Sequence, residues 1–204
     1  MQEIGLFPLG MVLLPNERVP LHIFEERYKE LVRECLDAEQ PFGLILVEDD
    51  EVAGVGTLAH VAELTRQFPD GRMNIVIEGA QRFRVIETTS GRSFATAQIH
   101  LFEDDGADAT AEEIDELLEA FADLAKAAEA ETPTVTAEAA TLSFQLAALV
   151  ELENGPRQEL LEIDSEGART RYLTSLFGEL AASIRRQAQV RGRAESNGRV
   201  DSRG

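Results

Sequence analysis

Three histidines and one cysteine are the side chains of this sequence best suited to acid–base, nucleophilic or metal chemistry. His22, His60 and His100 lie far apart, and none has another histidine four residues away, the spacing that places two metal ligands on one helix face. His22 could form a weak divalent-cation site with Glu25 and Glu26 only if a turn brought them together. The spacing therefore predicts no metal site, and we expect His22 to fix the start of the helix that follows it.

Nucleophilic catalysis has no support in the motifs. Cys35 lies on the apolar side of a predicted helix, where burial raises the pKa of a thiol, and no histidine lies at helical spacing to act as its base. No serine lies in a GxSxG or SxxK motif. The lysines, Lys29 and Lys126, do not follow the glycine pattern of a nucleotide-binding phosphate loop. We therefore expect neither enzymatic activity nor a cofactor.

Charge decides which classes of partner to expect. The 204 residues include 19 basic and 38 acidic side chains, which gives a formal net charge of −19. A surface this acidic repels phosphate, so nucleic acid and anionic membranes are disfavoured. No apolar run approaches the roughly 20 residues of a membrane span. The apolar start over residues 4–15 follows no lysine or arginine and is not a secretory signal. We expect a soluble, cytoplasmic protein.

The first half of the chain has the period-two alternation of β-strands. The strands predicted from alternation or from short apolar runs are 42–47, 61–68, 73–78, 82–88 and 96–102. Pro69-Asp70-Gly71 and Gly79-Ala80-Gln81 are predicted to be turns between them. One helix is expected over residues 24–38. Its apolar face is predicted to consist of Phe24, Tyr28, Leu31 and Cys35.

Three arginines form the most basic part of this half. Arg82 and Arg84 lie on one predicted strand, with Arg92 near in sequence. This group could bind an anion or an acidic peptide, or it could pair with Glu78 and Glu87. The local pairing is the favoured interpretation because these carboxylates are close in sequence.

From residue 104 the pattern becomes helical. Thr110 and Glu113 form a capping box at the start of one helix, and Asp164 or Ser165 is expected to cap the last one. Between them, helices are predicted over about 137–152 and over 158–163. The predicted organisation is a β-rich unit over 1–103, a helical bundle over 110–190 and a disordered tail over 191–204.

The order and spacing of several motifs resemble a known family. Leu6-Phe7-Pro8-Leu9, Val12-Leu13-Leu14-Pro15 and the run from Val19 to Tyr28 resemble the opening of the amino-terminal, substrate-binding domain of ATP-dependent Lon proteases. The resemblance continues through residues 42–47, 55–59, 70–72, 78–85, 142–146 and 157–162, and covers about 4–188.

This resemblance implies an α+β fold, in which a PUA-like β-barrel module with one packed helix is followed by an α-helical bundle. It implies a non-catalytic protein- or peptide-binding module, in a stand-alone form without the ATPase and protease modules of Lon. The expected partners are unfolded or apolar-exposing protein segments, with a protease or chaperone machine as a further candidate. A PUA-like RNA-binding module is the alternative, and the net charge of −19 disfavours it.

The peptide-binding surface is predicted where the resemblance is densest. Its predicted residues are Leu14, Pro15, His22, Phe24, Glu25 and Tyr28. The sequence leaves open whether Leu14, Phe24 and Tyr28 are exposed or belong to the core. Recognition is expected to rest on apolar contact and backbone pairing rather than on charge attraction.

Overall fold

The computed structural model describes residues 2–89, 91–131, 133 and 141–197, with side chains up to Arg191. Its strands are β1 (Gln2–Leu9), β2 (Arg18–Ile23), β3 (Phe42–Glu48), β4 (Glu51–Val52), β5 (Val55–Gln67), β6 (Met73–Thr89) and β7 (Thr96–Phe102). Its helices are α1 (Glu26–Ala38), α2 (Ala111–Ala127), α3 (Leu142–Ala148), α4 (Asn154–Glu162) and α5 (Glu166–Asn197). The predicted α+β class, a barrel with one packed helix and a helical region after it, is confirmed.

The barrel is closed by five strands. The order β1-β7-β6-β5-β3 is antiparallel throughout, and a parallel pairing of β1 with β3 completes the ring. Closure leaves no unpaired edge within the ring. Phe83 is fully buried in the cluster that includes Ile4, Ile45 and Ile99. At Gly56 an added Cβ would lie 2.6 Å from the Phe83 ring, so that ring fills the space which a larger residue would need.

A three-stranded arm extends from one side of this barrel. It consists of β2, residues 60–67 of β5 and residues 73–78 of β6, and β6 lies in its centre. The predicted turn at Pro69-Asp70-Gly71 joins the two long strands and is confirmed, with Gly71 at φ 82°. Residues 62–67 of β5 are exposed, so this part of the arm is not covered by the barrel core.

The turn predicted at Gly79-Ala80-Gln81 is wrong, because β6 continues unbroken from Met73 to Thr89. The segment before β2 crosses the strand at this point. The Asn16 amide donates to the Gly79 carbonyl at 2.8 Å, and the Gly79 amide donates to the Glu17 carbonyl at 2.9 Å. A Cβ at Gly79 would lie 2.2 Å from the Leu14 carbonyl oxygen. Glycine is needed here for close backbone approach rather than for a turn.

Helix α1 covers the other side of the arm and packs its apolar face onto the strands. Leu31 and Val32 are buried in this contact, and Tyr28 stacks on Phe7 with ring centroids 4.0 Å apart. The helix begins at Glu26, two residues later than predicted. Phe24 therefore precedes the helix and is 60% exposed, so its predicted place on the buried face is wrong.

Helices α2 to α5 pack on the barrel at the side that carries Leu46 of β3 and Val55 of β5. The capping box of Thr110 and Glu113 is confirmed at the start of α2. Ser165 caps α5, because its hydroxyl accepts the Ala168 amide hydrogen at 3.4 Å. The helix predicted over about 137–152 covers only Leu142–Ala148, and residues 137–140 lie outside the described part of the chain.

Helix α5 is longer than the sequence predicts. It continues to Asn197, whereas disorder is predicted from residue 191; residues 198–204 lie outside the described part. Within the described residues, no helix is both long and apolar enough to cross a bilayer.

One apolar cluster joins the barrel to these helices. Val12, Leu14, Leu46 and Val55 from the β-rich half are buried against helical residues. Those helical residues include Leu117, Phe121, Phe144, Leu160 and Phe177. The division into two packed units joined near residues 104–109 stays a prediction, and the two predicted units share this core.

Candidate peptide-binding surface

Half of the predicted site residues lie in the core. Leu14 is 0% exposed, Pro15 is buried and Tyr28 is 7% exposed. A ligand that leaves the fold intact cannot reach the Leu14 side chain. Leu14 and Tyr28 are therefore core residues, which settles for them the alternative that the sequence leaves open.

The other predicted residues, His22, Phe24 and Glu25, are accessible at the end of the arm. The His22 ring stacks beside Phe24 at 6.0 Å between centroids and meets Phe68 edge-on at 6.1 Å. The side chain of Asn74 holds the imidazole through a contact of 2.6 Å between Nδ1 and Oδ1. We call Phe24, His22 and Phe68 the aromatic surface.

Phe68 was not predicted as a site residue. Its position just before the Pro-Asp-Gly turn is the one sequence signal that could have placed it at a strand end. The turn itself holds it, because the Phe68 amide donates to the Arg72 carbonyl at 2.9 Å and its carbonyl accepts the Gly71 amide at 2.9 Å. The ring is thereby fixed at the tip of the arm.

Two guanidinium groups flank the Phe68 ring. The Arg66 Cζ lies 4.6 Å and the Arg72 Cζ lies 5.1 Å from its centroid, both within range of cation–π attraction. Arg72 is also bound to Asp70, through its amide to Oδ1 at 3.2 Å and through Nε to Oδ2 at 2.7 Å. The backbone hydrogen bond first, and then the guanidinium, hold the pKa of Asp70 below its usual range.

The strand register defines the solvent face of the arm. Directly paired residues share a face, and three rows cross β2, β6 and β5. The rows are Arg18–Glu78–His60, Pro20–Val76–Glu63 and His22–Asn74–Arg66. The aromatic surface thus continues into an apolar pair, Pro20 and Val76.

Among the described strands β2 pairs only with β6, so it offers an edge for strand addition. The hydrogen bond from the Gly79 amide to the Glu17 carbonyl shows that the backbone of Glu17 faces β6. Because backbone groups alternate in direction along an antiparallel strand, those of Arg18, Pro20 and His22 point towards the free edge. Proline has no N–H, so Pro20 interrupts the row of donors. An added segment can use the amides of Arg18 and His22 but not a continuous ladder. Side-chain contact must therefore carry more of the recognition than backbone pairing does.

Comparison with known proteins identifies the family. The family model of the ATP-dependent protease La (LON) substrate-binding domain matches residues 3–177. The chain belongs to this family.

Relatives of this chain include Lon proteases. The Lon protease of Cytophaga hutchinsonii is 24% identical over 188 residues, which cover 82% of this chain and 23% of that protein. The Lon protease of Parabacteroides distasonis is 27% identical over 129 residues, covering 59% of this chain and 16% of that protein. The chain thus spans less than a quarter of the length of these relatives.

Two solved structures share the fold. A Lon N-terminal domain protein from Xanthomonas campestris is 27% identical, with a TM-score of 0.69 over 86% of this chain and 98% of that one. The N-terminal domain of a Lon protease of the Mycobacterium avium complex is 17% identical, with a TM-score of 0.66 over the same shares. The second likeness bears on the fold alone.

Arg82 has a structural role in this LON-family domain. It is 5% exposed, donates to the carbonyls of Leu161 at 2.7 Å and Ile163 at 2.6 Å, and pairs with Asp104. The predicted pairing with Glu78 and Glu87 is therefore wrong for Arg82. Arg82 ties the barrel to the helices and offers no accessible anion site.

The described part of this domain shows no metal-binding geometry. No group of three or more histidine, cysteine or carboxylate residues there is arranged to hold an ion. Near His22, Glu25 pairs with Arg27 at 2.8 Å, and Glu26 pairs with Lys29 at 2.7 Å. The Lys29 hydrogen bond, followed by its charge, holds the pKa of Glu26 below its usual range.

Proposed function

We propose that this chain binds extended, apolar segments of other proteins on the aromatic surface. The observation that carries the proposal is the exposure of Phe24, which is 60% accessible although the His22 ring lies beside it and in turn contacts Phe68. The exposed rings of Phe24 and His22, with the partly exposed ring of Phe68 and the pair Pro20 and Val76, form a contact area for an apolar side chain. Membership of a family described as a substrate-binding domain supports the same role.

The size of this area limits the affinity. Covering on the order of 300 Å² of apolar surface contributes about 7 kcal/mol at roughly 25 cal/mol per Å². Lost rotation and translation of the partner and ordering of an extended segment offset much of this gain. Binding should therefore be about micromolar or weaker. A weak contact of this kind suits the transient engagement of many unfolded segments.

We further propose that the chain binds without catalysing a reaction. Neither Lys29 nor Lys126 belongs to a phosphate loop or a Ser–Lys pair, and Lys29 is 5% exposed beneath the turn. The machinery that acts on a bound segment would then lie in another module or protein. A protease or chaperone machine is the partner that such a binding role calls for.

Replacing Phe24 with serine tests the proposed binding. Labelled, permanently unfolded protein is titrated with wild type and Phe24→Ser, and fluorescence anisotropy gives the dissociation constant. The matched control is Ile86→Ser, which removes another half-exposed apolar side chain, 51% accessible, from the far end of β6. We expect about tenfold weaker binding for Phe24→Ser and wild-type binding for Ile86→Ser, since roughly 55 Å² of apolar contact is lost only in the former.

If Phe24→Ser bound the unfolded protein as tightly as Ile86→Ser does, the aromatic surface would not be the binding site. Circular dichroism and thermal unfolding establish that both variants retain the fold. Because Phe24 is mostly exposed and makes no core contact within the described clusters, its replacement should leave stability within about 0.5 kcal/mol of wild type.

A further inference from the structure

The aromatic surface lies beside a cation that has no carboxylate partner within the described residues. Arg66 stacks on Phe68 at 4.6 Å and belongs to none of the ion pairs found there. Glu63 occupies the neighbouring row of the same face but lies beyond ion-pair distance of it. Asp70, the nearest other carboxylate on the turn, is already bound by Arg72. The end of the arm is therefore locally cationic on a chain of net charge −19.

Stacking prepares the Arg66 guanidinium for one kind of ligand. The Arg66 Cζ lies over the Phe68 ring, 4.6 Å from its centroid, so the ring limits the movement of the guanidinium, and the exposed side chain keeps N–H donors accessible to solvent. A planar fork of this kind matches the two oxygens of a carboxylate, and less side-chain freedom is lost when the ligand binds. The adjacent rings, Phe24 and His22, can hold an apolar side chain at the same time.

From this arrangement we infer that the surface selects extended protein segments in which an aromatic or large aliphatic residue is followed or preceded by a glutamate or aspartate. The inference rests on the proposed function and names the segments that the same site prefers. The apolar residue would lie against Phe24 and His22, and the neighbouring carboxylate would accept hydrogen bonds from Arg66. Charge complementarity is short-range here, because beyond about 8 Å at physiological salt the acidic remainder of the chain is screened.

The electrostatic field of the whole protein predicts the opposite preference. A net charge of −19 repels an acidic segment, so without a local site a neutral peptide should bind more tightly than an acidic one. RNA would also use arginine and aromatic rings. A phosphate backbone, however, needs several cations in a row, and near the turn the described residues offer Arg66, the already paired Arg72 and Arg33 beside Gly71.

The experiment compares two short unstructured peptides that share the same phenylalanines and differ only in having glutamate or glutamine beside them. Both are titrated into wild type, Phe24→Ser, Arg66→Gln and the control Arg186→Gln. Arg186 is an exposed arginine on α5 whose replacement changes the net charge as much as that of Arg66 does. We expect wild type and Arg186→Gln to bind the glutamate peptide about threefold to fivefold more tightly, as for one exposed charge-assisted contact. Arg66→Gln should lose this preference.

Three results would overturn the inference. If both peptides bind and depend on Phe24 but show no glutamate preference, the carboxylate selection fails while the proposed binding function stands. If neither peptide binds wild type, the proposed function fails and the inference falls with it. If a single-stranded oligouridine displaces the glutamate peptide and itself binds Arg66→Gln more weakly, the cation serves phosphate rather than carboxylate.

Discussion

Arg169 on α5 holds both carboxylate oxygens of Asp104, the second residue after the last barrel strand. Nη1 donates to Oδ1 at 2.8 Å and Nη2 donates to Oδ2 at 2.5 Å, while Arg82 of β6 pairs with the same carboxylate. One side chain thus connects a barrel strand to the longest helix. Arg169 is also bound by Glu166, whose Oε2 accepts from Nη2 at 2.9 Å and from the Ser143 hydroxyl at 2.8 Å. The helices are oriented by this network as well as by apolar packing.

Replacing Asp104 with asparagine should destabilise the fold by about 2 kcal/mol. Two guanidinium groups, 1% and 5% exposed, would lose their shared counter-charge, and burying an underpaired charge is costly. Urea denaturation followed by circular dichroism measures the change. Asp105→Asn is the matched control, since that exposed side chain is in none of the described ion pairs. Equal stability of the two variants would contradict the connecting role of Asp104.

The contribution of Asp104 should depend on pH in a defined direction. Burial opposes ionisation most strongly, but the hydrogen bonds and charges of Arg169 and Arg82 together hold the pKa of Asp104 below its ordinary value of 3.8. A carboxyl whose pKa falls on folding stabilises the fold above its ordinary pKa and loses that effect as pH drops towards the folded value. The stability gap between wild type and Asp104→Asn should therefore be constant from neutral pH to about pH 5 and shrink below it. A gap that widened on acidification would contradict this assignment.

Local features of the fold were predictable because neighbouring residues alone decide them. The Pro69-Asp70-Gly71 turn and the Thr110–Glu113 capping box need no distant partner, and both are present. Strand β7 follows from alternation alone and spans the same residues as predicted, 96–102. The barrel, its one packed helix and the helical bundle after it were implied by family resemblance, since strand pairing between distant segments leaves no local pattern.

Features set by distant residues were mispredicted. Gly79 has the local pattern of a turn, but it lies in a continuous strand because residues 14–17 cross it. Phe24 has helical spacing to Tyr28, yet the helix starts after it. For the site, His22, Phe24 and Glu25 could be named from the sequence. Phe68 could not, because only the arm hairpin brings it to His22, 46 positions away in the chain.

Gly79→Ala should be one of the more damaging single-methyl changes in this chain. The new Cβ would lie 2.2 Å from the Leu14 carbonyl oxygen, and backbone on both sides is held by hydrogen bonds, so the strain cannot be relieved by a side-chain rotation. We expect a loss of about 3 kcal/mol or more in unfolding free energy. Gly155→Ala on α4, where an added Cβ meets nothing within 4 Å, should be neutral or slightly stabilising. If the two variants had similar unfolding midpoints, the close approach of residues 14–17 would not be the reason why position 79 requires glycine.

Purified protein should show no ATP hydrolysis and no cleavage of casein above buffer. The reason is the missing phosphate loop and the position of Lys29, which is buried against the turn and donates to the Asp70 carbonyl at 3.2 Å. Phosphate release and a fluorescent casein assay measure the two activities. The decisive control for any residual activity is Lys126→Ala, the one other lysine of the chain. Activity that co-purifies with wild type and vanishes in Lys126→Ala or another point variant would contradict a purely binding role.

Binding of a neutral, phenylalanine-containing peptide should be nearly independent of salt. Apolar contact with Phe24 and Phe68 does not screen, whereas exposed charge pairs weaken as the screening length falls to about 8 Å at physiological ionic strength. We therefore expect its dissociation constant to change by less than about twofold between low and physiological salt. Under the same change, the Phe24→Ser variant should remain about tenfold weaker than wild type, because the lost term is an area of contact. Isothermal titration at two sodium chloride concentrations measures both quantities. A steep loss of wild-type affinity with salt would mean that charge, and not the aromatic surface, holds the segment.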